Sequence, residues 1–234
     1  MTERAESVMA AHPPSPVGRG GSIPASALFF QTGFDKDAFA LVVQYHYSHR
    51  IPANVQLACT VHLDGGLFGG CGECVGGCVF SIPPTRWSED VIELSRLIRR
   101  PGTDYPLSRF VAWSLREAAK IFDLVVSFAD TTHDHNGTIY QATNFRYGGY
   151  RPPRMDGVYY GGDFIPGRSA NAIWNTQSPR KLAERGIIVE PHYDCGKHIY
   201  WFPFGKFGEA KARRLGLKNE PYPRRIGDNH AQDQ

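Results

Sequence analysis

Residues 127–145 read SFADTTHDHNGTIYQATNF. An apolar run stops on Asp130, and His133, His135 and Tyr140 follow it closely. A carboxylate at the end of a buried strand is partly desolvated, so its pKa can rise toward a working range and it can serve as a general base toward a weakly nucleophilic nitrogen. Tyr140 could return the proton. The competing role for Asp130 is structural, because an aspartate ahead of TTHDHNG caps the next turn through its side chain. A second group is QYHYSHR at 44–50, where His46, Tyr47, Ser48, His49 and Arg50 crowd one turn. It reads either as the wall of a site, with histidine and tyrosine as metal ligands, or as cations closing a helix whose dipole they favour. A third is RRPGTDYPLSRF. A loop that leads into a helix N-terminus presents unpaired amides and positive potential to an anion such as pyrophosphate. Arg99, Gly102, Ser108 and Arg109 are its candidate contacts, although a solvated basic loop looks the same in sequence.

These groups need a scaffold. The chain has 234 residues and 41% of them are hydrophobic, enough for the core of one large domain. A net charge of +3 is too mild to mark the whole surface as nucleic-acid binding, so any basic surface must be local. No apolar run is long enough to cross a membrane, and the N-terminus lacks the apolar stretch of a signal peptide, so a cytoplasmic protein is expected. Five cysteines argue against a closed disulfide framework. Cys71 and Cys74 form a lone CxxC without a second pair, and the glycines around them read as a hairpin better than as a zinc site.

The organisation expected is an N-terminal arm over 1–27, one domain over 28–225 and a tail over 226–234. Within the domain, apolar spacing predicts a helix over 35–45 and strands at 57–63, 74–82 and 91–98. The strand at 91–98 carries Glu93, Ser95 and Arg96 inside it. Arg96 stands at strand spacing from Leu94 and Ile98 and is expected to share their face. A helix is expected over 110–122 with Ser108 as its N-cap, and a buried central strand over 124–129. A short helix covers 138–142, and Phe145 opens a strand. Irregular glycine- and proline-rich chain is expected around 146–178. A short helix begins at Ser178-Pro179, and strands follow at 187–189 and 198–202. The sum is a single α/β domain.

HYSHR, ELSRL at 93–97, VSFAD at 126–130, GTIYQATNF at 137–145 and KHIYW at 197–201 occur in one order. Together they resemble the phage Mom proteins, which modify adenine in DNA, over roughly residues 35–225. GTIYQATNF is also similar to the last conserved stretch of the GNAT acyltransferases, with Asn144-Phe145 where that family has Gly-Phe. The resemblance implies a GNAT-like fold, a central mixed and mostly antiparallel sheet flanked by helices. It implies conversion of adenine N6 in duplex DNA to an N6-carbamoylmethyl (acetamido) derivative, which protects phage DNA from host restriction in the host cytoplasm. It maps catalytic roles onto Tyr47, Arg96, Ser108, Asp130 and Tyr140, and donor contacts onto Arg99, Gly102, Ser108 and Arg109. Iron would fall to His46, Tyr47 and Tyr140. The donor would be acetyl-CoA or another acyl or glycinamide-type carrier.

Adenine N6 is a poor nucleophile because its lone pair is delocalised into the ring. Transfer to it needs a base beside the amine and a stabilised electrophile. A stacked adenine must also be flipped out, at about a few kcal/mol. RYGGYRPPRMDGVYYGGDFIPGR interleaves arginines with tyrosines and suits a loop along a DNA backbone, and from Lys206 to Arg225 seven lysines and arginines face two glutamates. Arg50, Arg146, Arg151, Arg154 and Arg168 are the candidate DNA contacts. Solvated surface arginines would read alike. The rival classes are an ordinary GNAT N-acyltransferase acting on a small amine or protein, and a DNA-binding protein without activity. A homodimer is left open.

Overall fold

The computed structural model describes residues 22–33, 36–64, 71–83, 87 and 91–223. Most of the expected arm, the Gly69-Gly70 turn, Asp35 and the tail from 226 lie outside the described residues. The strands that build the main sheet are β1 (Leu28–Gly33), β2 (Val55–Asp64), β3 (Cys71–Ser81), β4 (Ile92–Arg99), β5 (Leu124–Asp130), β6 (Arg146–Arg151) and, later in the chain, β10 (Lys197–Pro203). They lie in the order β1-β2-β3-β4-β5-β10-β6. Every neighbouring pair is antiparallel except β4 and β5, which run parallel. Parallel neighbours need a crossover, and α2 (Leu107–Ala118) supplies it. The expected α/β domain with a mixed, mostly antiparallel sheet is thus the one observed.

Two features of the sheet position the site. First, β4 and β5 pair only at Ile92 with Val125 and Glu93 with Val126, and then part. Beyond that point the Ser127 hydroxyl donates to the Leu94 carbonyl across the gap, at 2.8 Å. Second, β4 carries a bulge. Phe80 of β3 faces Leu94 and Val79 faces Arg96, so Ser95 is an extra residue with no opposite number. Cross-strand partners share a face. Leu94 therefore packs with Phe80 and with Phe110 and Val111 of α2. Ile98 packs with Val79 on the other face, against Leu41 and Val42 of α1 (Lys36–Tyr45). Strict alternation put Arg96 on one face with both Leu94 and Ile98. The bulge overturns half of that: Arg96 shares the face of Ile98 and Glu93, opposite Leu94.

Helices cover the faces unequally. One face carries α2 and the short α3 (Thr138–Ala142), whose Ile139 and Tyr140 join the main core. The other carries α1 at one end and α6 (Gly205–Arg214) at the other, where Ala212 packs on Val126 and Trp201. Between α1 and α6 that face holds Glu93, Arg96, Phe128, Asp130 and Lys197. Helix α2 starts earlier than the apolar spacing predicts. Pro106 stands at its N-cap with φ −65°, already preset for a helix, so Ser108 falls inside the first turn and caps nothing. The far end tightens into shorter turns at Lys120 and Ile121.

Residues 152–196, expected to be irregular as far as 178, form an inserted module between β6 and β10. A three-stranded sheet orders β8 (Asp163–Pro166), β7 (Met155–Tyr160) and β9 (Glu190–Tyr193), with α4 (Gly167–Trp174) and α5 (Pro179–Ala183) beside it. Gly161 and Gly162 turn the β7–β8 hairpin at φ +61° and +91°. The strand expected at 187–189 is coil, and the strand forms at Glu190–Tyr193 instead. It is an edge strand, where Pro191 is tolerated.

Gly137 precedes α3 at φ +81°, and an added Cβ would lie 2.2 Å from a Tyr200 ring carbon. That ring is fixed, because its hydroxyl donates to the Asn136 carbonyl at 2.6 Å and accepts from Gln141 at 3.0 Å. Gly137→Ala is expected to destabilise the fold by about 2–4 kcal/mol, a Tm drop of several degrees in a thermal melt. An unchanged Tm would contradict the close approach.

Candidate functional site

Where β4 and β5 part, a cleft of about 450 Å³ passes into the sheet. On the α1/α6 side its walls include His46, Tyr47, Glu93, Arg96 and Lys197; on the α2/α3 side they include Leu107, Ile139 and Tyr140. The split lets one cavity draw on both faces of the sheet. Of the expected catalytic residues, it brings Tyr47, Arg96 and Tyr140 together.

Asp130 is not itself on the cleft wall. It ends β5, is 7% exposed, and its carboxylate ion-pairs with the Lys197 ammonium at 2.7 Å. Its Oδ1 also accepts from the Thr132 N–H at 3.0 Å, so the capping role is real. Burial pushes the carboxyl up, but the bonds from Lys197 and Thr132 outweigh it and hold the pKa below the usual aspartate value. The sequence argument expected a rise toward neutrality, and the lysine beside it is the reason for the reverse. Asp130 is a fixed anion that aims Lys197.

Two carboxylates do line the cleft, the exposed Asp134 and Glu93, and Glu93 is the more enclosed. It is partly buried, and among the described residues it has no hydrogen bond or ion pair. Burial raises its carboxyl against the pull of Arg96, Lys197 and Arg168. Sequence reasoning missed Glu93 and Lys197. The available signal was an acidic residue inside an apolar strand with an arginine three positions on, and the lysine that opens KHIYW. The guanidinium of Arg96 is held by carbonyls: Nε donates to Arg50 at 3.2 Å and Nη1 to Ser95 at 2.6 Å.

Tyr47 is stacked between His46, with centroids 4.2 Å apart, and His133, at 3.9 Å, with His135 edge-on at 5.8 Å. Burial raises its phenol. His46 is pulled down to about 3, first by burial and then by Arg96 and the neighbouring imidazoles, so it is neutral. Its Nδ1 accepts from the Ser48 N–H at 3.1 Å. Tyr140 stands on the opposite wall, its ring against Phe145 and Tyr200 and its phenol raised by burial. His46 thus has its Nδ1 occupied, and Tyr47 and Tyr140 stand across the cleft from each other. Among the described residues no three His, Cys, Asp or Glu side chains are grouped to hold a metal ion. Iron at His46, Tyr47 and Tyr140 has no support in this geometry.

At the α2 end, Leu107 reaches the cleft and Ser108 beside it does not. Arg99 pairs with Asp104 at 3.7 Å and Arg100 with Glu73, while Gly102 makes the turn at φ +79°. Arg109 has no partner among the described residues. No side chain caps α2. Its N-terminus with Arg109 therefore suits an anionic donor group, whereas Arg99 is neutralised internally. The expected DNA contacts separate. Arg146 is tied to Glu209 and lies over the Trp201 ring at 4.8 Å. Arg151 is tied to Asp194. Arg50 contributes its carbonyl to Arg96. Arg154 and Arg168 face a groove beside the cleft.

The path of the chain is similar to that of solved acetyltransferases. NAA60 from Arabidopsis thaliana, in complex with a bisubstrate analogue, is 10% identical over 75% of this chain and 97% of that one, at a TM-score of 0.45. A Bacillus subtilis acetyltransferase in complex with CoA is 11% identical over 75% and 98%, at 0.42. Spermidine N-acetyltransferase from Vibrio cholerae, in complex with CoA and spermine, is 10% identical over 78% and 98%, at 0.42. No curated protein matches the sequence. A model of the Mom protein family matches residues 27–224, which spans the split strands, the cleft and the inserted module alike, and the chain belongs to the Mom protein family.

Proposed function

We propose that this chain is a transferase that converts adenine N6 in duplex DNA to its N6-carbamoylmethyl derivative, and that the cleft between β4 and β5 is where the transfer occurs. The family membership over residues 27–224 carries this reading. The cleft supports it because it offers two approaches to one point. A donor enters from the α2 end, past Leu107 and Arg109. A flipped adenine enters from the face between α1 and α6.

The chemistry follows from the groups present. N6 must lose a proton as its bond to carbon forms. Of the two carboxylates that line the cleft, Asp134 is exposed and Glu93 is partly buried, and the raised carboxyl of Glu93 makes it a stronger base than an ordinary glutamate. Arg96 and Lys197 flank it and offset negative charge that develops on the electrophile or its leaving group. Asp130 holds Lys197 in place. The Tyr47 stack provides an aromatic wall on which a purine can lie. Acetyl-CoA itself would join through its carbonyl carbon, whereas the product is joined through a methylene and carries an extra nitrogen. The donor is therefore a glycinamide-type (carbamoylmethyl) unit whose methylene bears a leaving group. As N6 bonds to that carbon, the bond to the leaving group breaks, its electron pair departs with that group and the N6 proton passes to Glu93. An anionic handle on the donor suits the α2 N-terminus. Protection from restriction is the phage function that this product would serve.

Nucleoside mass spectrometry on plasmid DNA from cells expressing the chain is the direct test. Deoxyadenosine heavier by one carbamoylmethyl group is expected, and unmodified deoxyadenosine beside soluble protein would sink the reading. Glu93→Gln is expected to lower the rate about 10²-fold or more. The base must be deprotonated to act, so wild-type activity should fall as pH drops through the raised Glu93 value, and the glutamine variant should lack that acid limb. Asp130→Ala, which frees Lys197, is expected to cut product at least about tenfold and, because an unpaired Lys197 pulls the Glu93 carboxyl down, to keep an acid limb at the same or lower pH. A limb that vanished in Asp130→Ala and persisted in Glu93→Gln would reverse the assignment of the base.

A further inference from the structure

A second groove, of about 480 Å³, runs beside the cleft and shares Glu93, Ser95, Arg96, Phe128 and Lys197 with it as a common floor. Its other wall includes Arg151 at the end of β6 and, from the inserted module, Arg154 ahead of β7 and Arg168 in the first turn of α4. Several of these cations are already matched. Lys197 pairs with Asp130 and Arg151 with Asp194. The side chains of Arg154 and Arg168 have no hydrogen bond or ion pair among the described residues, and Arg96 is held only by neutral carbonyls. Among the described residues that line the groove, three guanidinium groups are thus opposed by Glu93 alone.

The base that carries Arg154 is rigid. Asp194, 5% exposed, accepts from the Arg154 N–H at 2.9 Å, from the Gly196 N–H at 3.1 Å and from the Arg151 guanidinium, and its own N–H donates to the Arg154 carbonyl at 3.0 Å. The same neck is tied to the Asp130 turn: the Thr131 hydroxyl donates to the Cys195 carbonyl at 2.8 Å, and the Cys195 N–H donates to the Thr132 hydroxyl at 3.1 Å. The backbone that carries Arg154 is therefore fixed relative to the cleft.

We propose that this groove binds the phosphodiester of the nucleotide whose base occupies the cleft, with Arg154 and Arg168 as its phosphate contacts. The inference rests on the DNA-adenine reading and names the residues that hold the strand. Guanidinium forks match phosphate oxygens in pairs. The common floor sets the phosphate next to the base site, as one nucleotide requires. Such contacts fix register and carry no sequence information.

The test is fluorescence anisotropy with a short labelled DNA duplex, titrated at salt from about 50 to 200 mM. Arg154→Gln and Arg168→Gln are each expected to weaken binding several-fold and to lower the slope of log affinity against log salt by about 1. Arg154→Lys should keep the slope, and Arg180→Gln, on exposed α5 outside the groove, should match wild type. A double Arg154→Gln, Arg168→Gln protein with wild-type affinity and slope overturns the proposal, as does a wild type with no affinity for the duplex. Nucleoside mass spectrometry separates the two claims. Modified adenine with an unchanged slope removes the groove alone; a lowered slope without modified adenine keeps the groove and removes the transfer.

Discussion

The parting of β4 and β5 governs the rest of the molecule. Two parallel strands that stayed paired would seal the centre of a seven-stranded sheet and leave their backbone groups satisfied by each other. Here they separate after Glu93 and Val126, and the polar groups so released must find partners or face a cavity. Ser127 meets part of that need by donating to Leu94. The remainder becomes a cleft at the middle of the fold, where side chains from both faces converge. Glu93 stands at the last paired position, which is why it is partly buried and still reachable.

The electrostatics of the cleft follow from this placement. Two carboxylates, Glu93 and Asp130, share Lys197 as a neighbour, and their surroundings push their pKa values in opposite directions. Asp130 is hydrogen-bonded to Lys197 and a backbone amide, and these bonds hold its carboxyl below the usual aspartate value. Glu93 has cations near it but none in contact, so burial dominates. Neutral His46 and the raised Tyr47 phenol add polarity without charge. The result is a site with one immobile anion, one basic carboxylate and several cations that lack full counter-charge.

Much of the fold was legible because its signals are local. The helix at 36–45, the buried run at 124–130 and the helix at 138–142 each carry their period or length on their face. What escaped was non-local. A bulge at Ser95 leaves no mark in the apolar pattern, because Leu94 and Ile98 are both buried and differ only in which core they enter. The inserted module hid behind its glycines, although Tyr-Tyr-Gly-Gly-Asp-Phe at 159–164 has the form of a two-residue hairpin. The role of Asp130 was read from its strand alone. Lys197, the residue that sets its charge, is far away in sequence and adjacent only through the pairing of β10 with β5.

The extra residue in β4 also means that this strand carries one letter that its pairing does not count. Ser95 bonds the Ser81 hydroxyl and the Val79 carbonyl and faces no residue of β3, while Leu94 stays opposite Phe80 and Arg96 opposite Val79. Deleting Ser95 would straighten the strand into plain alternation and leave Leu94 under α2, with Arg96 and Ile98 on the α1 face, as they are now. Flattening the bulge with Ser95 kept is different, because it would turn Arg96 toward the apolar core under α2 and take Ile98 away from α1. A lineage of this protein can therefore lose a single codon at position 95 and still point its arginine the same way.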